Sequence, residues 1–211
     1  MLNVGVALVG LVLASPLMAV IALAVKTTSS GPILRRQPHV GLDRRRSRRP
    51  GPHGRRSLDR GGRIFDACTF RVTRWGTVQD QAPPPAGEGP LTAVGSILRA
   101  CGLERLPLLF NVLRGDMNVV GPRPERPDLF RDLREELGAS YGRYAERQTV
   151  LPGITGLAQV SGAWNGYPAR QDGIGPELDL DLEYVRRRTA ARDLSILASL
   201  IPVMLLRRIR E

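Results

Sequence analysis

Residues 102–125 read GLERLPLLFNVLRGDMNVVGPRPE. An apolar segment (Leu106, Leu108, Leu109, Phe110, Val112, Leu113) is closed by Arg114-Gly115-Asp116. The β-prone run Met117–Val120 follows, then Gly121-Pro122-Arg123-Pro124, where two prolines restrict the backbone around one arginine. Thirty residues on, Leu151-Pro152-Gly153-Ile154-Thr155-Gly156 forms a second stiff turn cluster. Such turns hold a side chain or a backbone N–H still, or they simply join core elements.

On the N-terminal side, Leu91–Leu113 reads as one helix bent near Pro107, with Val94, Ile97, Leu98 and Cys101 on one face. Ile64–Val72 reads as a strand, and 79–90, with three consecutive prolines, as an irregular linker. On the C-terminal side, Leu129, Leu133, Leu137, Tyr141 and Tyr144 step by helical spacing and place an amphipathic helix over 127–148, its apolar face in a core. Helices are also expected at 178–188 and 193–210. The last is apolar enough to lie on a membrane surface, or to pack as a core helix with arginines at its negative end.

Residues 1–25 carry no charged side chain. A run of this length can span a bilayer. It makes a poor signal peptide, because the charge follows the apolar run. Ser15-Pro16 stands in its middle. A break there gives two helical pieces of roughly 21 and 15 Å, neither long enough to cross, so the segment would enter, bend and leave on one side. A kinked helix that passes straight through is the alternative.

The chain has 211 residues and a formal net charge of +11, carried by 30 arginines and one lysine. Residues 35–63 hold eleven of those arginines against Asp43 and Asp59. Next to an apolar segment, such a flank is cytoplasmic and attracts anionic membrane lipid. A nucleic-acid partner is disfavoured: aromatics make up 5% of the chain, and Phe65 alone stands near this flank as a stacking platform. Cys68 and Cys101 make no disulfide framework and fit buried free thiols in a reducing compartment. His39 and His53 lack metal-site spacing.

These pieces together resemble the bacterial sugar transferase family, the monotopic phosphoglycosyl transferases of polyprenol-phosphate pathways. Residues 115–124, GDMNVVGPRP, are similar to GDMSLVGPRP, and 152–162, with Gln159 and Ser161-Gly162, to PGITGxxQVxG. Gly31-Pro32 with Gln37–Gly41 resembles GPxxxxQxRxG, and Phe70-Arg71 the end of KFR. Arg99, Leu103–Pro107 and Asn111-Val112 resemble LR…LDELPQxxNV. Asp181, Tyr184, Thr189 and Asp193-Leu194 fit LDxxYxxxxSxxxDL, and Ser15-Pro16 the family's re-entrant helix.

The resemblance implies a mostly helical α+β fold. A re-entrant or spanning membrane helix (1–25) and a basic juxtamembrane segment (26–63) precede a small cytoplasmic catalytic-type domain (64–211) with amphipathic surface helices. It implies transfer of a sugar-1-phosphate from a nucleotide sugar to polyprenyl phosphate, at the cytoplasmic face of a bacterial inner membrane, to initiate a cell-surface glycan. Magnesium is the implied cofactor, with its ligands unassigned, and a homo-oligomer is left open.

The family's Asp-Glu pair falls here on Glu104-Arg105. Glu104 is the expected nucleophile; Arg71, Arg99, Arg105, Asp116 and Arg123 are the expected substrate-binding residues, with Arg99 and Arg123 converging on it. Arg105 has no acceptor with which to ligate a metal. Thr69, Leu108 and Ala163 stand where the family carries lysine, glutamine and arginine. The alternative reading is an inactive relative that binds nucleotide sugar, lipid or a partner transferase.

Overall fold

The computed structural model describes residues 2–43, 62–74, 90–128, 141–161 and 176–210, the last ten by backbone alone. Most of the basic loop, the 79–90 linker up to its last residue, Leu129, Leu133, Leu137, Gly162 and Ala163 lie outside the described residues. The chain divides into two compact units, Asn3–Gln37 with Asp66–Leu113 and Pro38–Phe65 with Arg114–Glu211. The described structure is mostly helical with short strands. Strands β1 (Leu34–Val40) and β2 (Ile64–Phe70) pair as a two-stranded sheet.

The first unit begins with helix α1, Leu2–Thr28, continuous through Pro16. The expected division into two helical pieces is therefore not seen. Proline at 16 cannot donate to the carbonyl of Val12, one turn back. The Ser15 hydroxyl donates to that carbonyl instead, at 2.8 Å. The helix is long and apolar enough to cross a membrane. Ala7, Ile21 and Val25 are buried, whereas Leu8, Val9, Val12, Leu13, Val20 and Leu23 are exposed. Ile21 and Val25 pack with Phe70 and Leu98; Ile33, Val72, Val94, Leu103 and Leu106 border that cluster.

The helix expected over 91–113 is three pieces: α2 (Ala93–Cys101), a 3₁₀ turn (Leu103–Arg105) and α3 (Leu108–Leu113). Thr92 caps α2, its hydroxyl accepting from the Gly95 N–H at 2.9 Å. Gly102, at φ 68°, ends α2 in the left-handed conformation that glycine adopts without strain. Pro107 supplies no N–H for a continuing helix. Asn111, fully buried, braces β2: its side chain accepts from Cys68 N at 3.0 Å and donates to the Asp66 carbonyl at 2.7 Å.

In the second unit the two turn clusters meet. Strands β3 (Asn118–Val120) and β4 (Gly153–Thr155) run parallel, with Asn118 opposite Gly153 and Val120 opposite Thr155. The pairing continues past the strand ends. Gly121 N donates to Thr155 O at 2.8 Å, and Gly153 N to Pro122 O at 2.9 Å. A Cβ on Gly153 would strike the Gly121 backbone, and one on Gly121 would sit 2.7 Å from Leu151 O. Gly121 and Gly153 are therefore required by backbone-to-backbone approach. Parallel strands need a long crossover. Its described end is α4 (Tyr141–Ala145) and a second 3₁₀ turn (Glu146–Thr149).

Helices α5 (Leu157–Val160), α6 (Pro176–Arg187) and α7 (Ala190–Arg210) complete this unit. Glu177 and Asp179 occupy the first turn of α6 and Arg186 and Arg187 its last, matching the helix dipole. The core joins Val40, Tyr141, Tyr144, Ala145, Leu178 and Leu182. The Tyr144 and Tyr141 positions are thus core, as their spacing predicts.

Candidate active site

Glu104 sits one residue inside the 3₁₀ turn that starts after Gly102. The turn is closed by Arg105 N to Gly102 O and Leu106 N to Leu103 O, both at 3.3 Å. Leu103 and Leu106, on either side, pack against the first unit's core. The carboxylate thus rides on a short segment with apolar anchors at both ends. The Glu104 side chain is 15% exposed and that of Arg105 30%. Arg105 Nε donates to Glu104 Oε1 at 3.2 Å. Arg99 lies in the last turn of α2 and is exposed.

Arg71 does not serve as the expected substrate ligand. It is buried, at 3% exposure, and its guanidinium is committed to backbone carbonyls. Nε donates to Pro32 O at 2.7 Å. Nη1 reaches Ser30 O at 2.8 Å and Thr73 O at 3.5 Å. Nη2 reaches Ser29 O at 3.0 Å and Val25 O at 3.5 Å. A guanidinium has five N–H donors, and these carbonyls engage all five. Arg71 thus joins the Val25 carbonyl in the last turn of α1, where carbonyls lack helical partners, and the segment that follows α1 to the end of β2.

Asp116 and Arg123 belong to the second unit. Asp116 lies 3.9 Å from the Arg63 guanidinium, a loose pair whose carboxylate is 13% exposed. Arg123, between its prolines, is half-buried. Its carbonyl accepts from Arg147 Nη2 at 3.3 Å.

That contact opens onto a buried ionic group whose role sequence reasoning missed. Arg147 pairs with Asp181 at 2.6 Å and with Glu125 at 3.3 Å. Its guanidinium carbon stands 5.0 Å from the centre of the Tyr144 ring. Burial raises the Asp181 pKa, and Arg147 opposes that rise without cancelling it. Glu177 is raised in the same way, by burial first. Burial works against the Arg147 charge, yet Asp181, then Tyr144 and Glu125, hold its pKa above the ordinary arginine value. Asp181 was visible in the sequence only as one position of a loose closing pattern. Tyr184, from the same pattern, has its hydroxyl 2.8 Å from Asp193 and 3.1 Å from the Val120 carbonyl, joining α6 to α7 and β3.

A divalent cation of the magnesium class takes oxygen donors. At Glu104 the adjacent residue supplies a guanidinium in place of a second carboxylate. Among the described residues, no three His, Cys, Asp or Glu side chains gather as a metal site. The residues present at Glu104 do not fit the implied magnesium.

The chain matches the family described as bacterial sugar transferase over residues 1–207. It is 35% identical over 188 residues to a UDP-glucose:undecaprenyl-phosphate glucose-1-phosphate transferase of Klebsiella pneumoniae, covering 89% of this chain and 36% of that protein. A protein of the same description from Caulobacter vibrioides is 34% identical over 192 residues, covering 90% of this chain and 63% of the relative. The exopolysaccharide production protein ExoY of Sinorhizobium fredii is 31% identical over 212 residues, covering 98% and 84%. The chain thus spans about a third of the Klebsiella relative and under two thirds of the Caulobacter one.

Proposed function

The chain belongs to the bacterial sugar transferase family, and from that premise we propose that it transfers a sugar-1-phosphate from a nucleotide sugar to polyprenyl phosphate. The observation that carries this reading is Glu104. It is a carboxylate held on a 3₁₀ turn whose flanking leucines pack into the same core as membrane-length helix α1.

In the proposed reaction a Glu104 oxygen attacks the phosphorus that bears the sugar. The bond from that phosphorus to the bridging oxygen breaks, and the nucleoside monophosphate leaves with the electron pair. The acyl phosphate on Glu104 is then attacked by a phosphate oxygen of the polyprenyl phosphate. The bond from phosphorus to Glu104 breaks and the carboxylate is restored. Phosphoryl transfer of this kind depends on positioning and charge stabilisation.

Arg99 and Arg105 are proposed as phosphate ligands of the first unit. The planar fork of arginine suits paired phosphate oxygens. Asp116 and Arg123 keep their assignment to substrate binding on the family resemblance. Helix α1 is placed in the membrane, with the basic flank on the cytoplasmic face against anionic lipid.

UDP-glucose is the first donor to assay, because two of the relatives carry it in their descriptions. The chain in lipid nanodiscs, given UDP-glucose and undecaprenyl phosphate, should release UMP. Stopped before the lipid is added, it should carry a phosphosugar mass on the peptide containing Glu104. A chain that binds the donor yet shows neither product is the non-catalytic relative, the reading that Arg105 in place of an acid also supports.

A further inference from the structure

We propose that Arg105 takes the place of the divalent cation in this chain, so that transfer on Glu104 proceeds without bound metal. The inference rests on the transferase reading of Glu104 and concerns how its phosphate charge is neutralised.

Phosphoryl transfer places growing negative charge on oxygens around phosphorus, and a fixed positive charge beside them stabilises the transition state. A bound dication supplies that charge when oxygen donors hold it. Here the position next to the carboxylate carries a guanidinium, with Nε 3.2 Å from Glu104 Oε1. A dication on the same carboxylate would lie a few ångströms from a permanent cation, and the repulsion opposes its binding.

The guanidinium is also well placed for the role. It sits on the 3₁₀ turn of Glu104, between leucines that border the core, so its backbone is fixed relative to the carboxylate. Both side chains are largely covered, at 15% and 30% exposure, which weakens solvent screening of the pair. Its planar fork matches phosphate oxygens. The one turn therefore carries both the attacking oxygen and the charge that the departing phosphate requires.

The test compares wild type and Arg105→Glu, each in nanodiscs and stripped with EDTA. UMP release from UDP-glucose is followed with and without added Mg²⁺. Mn²⁺ binding is measured separately by electron paramagnetic resonance in the absence of nucleotide. Wild-type turnover should change by no more than about threefold on chelation, and wild type should retain no stoichiometric Mn²⁺. Arg105→Glu should bind Mn²⁺, and its turnover should depend on added metal by about tenfold or more.

Loss of wild-type turnover on chelation with recovery on Mg²⁺ overturns the proposal. So does one Mn²⁺ per wild-type chain that Glu104→Gln abolishes. Absence of UMP under every condition defeats the transferase reading instead. The wild-type Mn²⁺ measurement needs no turnover, so the proposal can fail even where Arg105→Glu does not fold.

Discussion

Arg147→Met should destabilise the second unit by about 3–5 kcal/mol at neutral pH, the usual result of removing one partner of a buried ion pair. The wild-type contacts are the 2.6 Å pair with Asp181, the 3.3 Å contacts with Glu125 and the Arg123 carbonyl, and the Tyr144 ring. Methionine fills much of the volume and makes none of these bonds. Asp181, 1% exposed, is then left near Glu125 and Glu177 without its cation.

The sign with pH follows from Asp181. Burial already raises its pKa, and Arg147 lowers it, so the substitution raises it further. A carboxyl raised in the folded state contributes stability that is fully present below the unfolded value of about 4. That contribution is lost as pH rises through the folded value. The penalty of Arg147→Met should therefore be largest near neutral pH and shrink as pH falls toward the unfolded carboxylate value of about 4, as protonation removes the stranded Asp181 charge. Glu177, raised by burial and opposed by Arg147, shifts in the same sense.

Urea melts in detergent micelles, read by pulse proteolysis at pH 4.5 and 7.5, measure both quantities. Arg147→Met with Asp181→Leu should recover most of the loss, because the stranded charge is gone. A loss below about 1 kcal/mol, or one equal at the two pH values, would refute the reasoning, since it would mean that water reaches the group.

Glu104→Gln keeps the shape but not the anion, and should abolish the phosphosugar adduct while leaving the melting temperature unchanged; mass spectrometry of the trapped chain decides. Gly153→Ala should cost about 1–3 kcal/mol or more, because its Cβ strikes the Gly121 backbone; a wild-type urea midpoint would contradict the β3–β4 geometry. Arg71→Lys cannot serve five carbonyls with three donors; thermal melts should fall, while nucleotide-sugar affinity per folded molecule should hold. Ser15→Ala strips the donor from the Val12 carbonyl at Pro16, and proteolysis should then cut α1 faster near that point, an effect that adding Pro16→Leu should reverse.

The two motif runs were legible as rigid elements but not as partners. Their prolines and glycines announce fixed backbone, whereas the reason for Gly153, contact with Gly121, appears only once β3 and β4 lie side by side. Helices α6 and α7 were legible from apolar spacing, but they begin two and three residues before the expected Leu178 and Asp193. Residues 91–113 misled for the same reason: apolar periodicity runs on through Gly102 and Pro107, while a left-handed glycine and a missing N–H act at single residues. Arg71 looked like a ligand because the sequence cannot show whether a guanidinium meets phosphate or carbonyl oxygen. Arg147 has no pattern around it at all; its partners Glu125 and Asp181 are 22 and 34 positions away, and only the fold makes them neighbours.

The corrected role of Arg71 bears on the chemistry more than its loss as a ligand suggests. It ties the Val25 carbonyl in the last turn of α1, and the Ser29 carbonyl just past it, to the end of β2, while Ile21 and Val25 of α1 share a core with Phe70 and Leu98, bordered by Leu103 and Leu106 around Glu104. Slipping α1 by one helical turn would move those side chains about 5.4 Å and empty that core. The proposed reaction tolerates far less, since misplacing a reacting atom by about 1 Å can cost a hundredfold in rate. A soluble donor can approach at any height, but a polyprenyl phosphate presents its phosphate at the depth of the lipid headgroups. If α1 lies in the membrane, as proposed, the Glu104 carboxylate has to be fixed to that helix to act in the proposed reaction. In the first unit Arg71 and the leucines beside Glu104 make that connection.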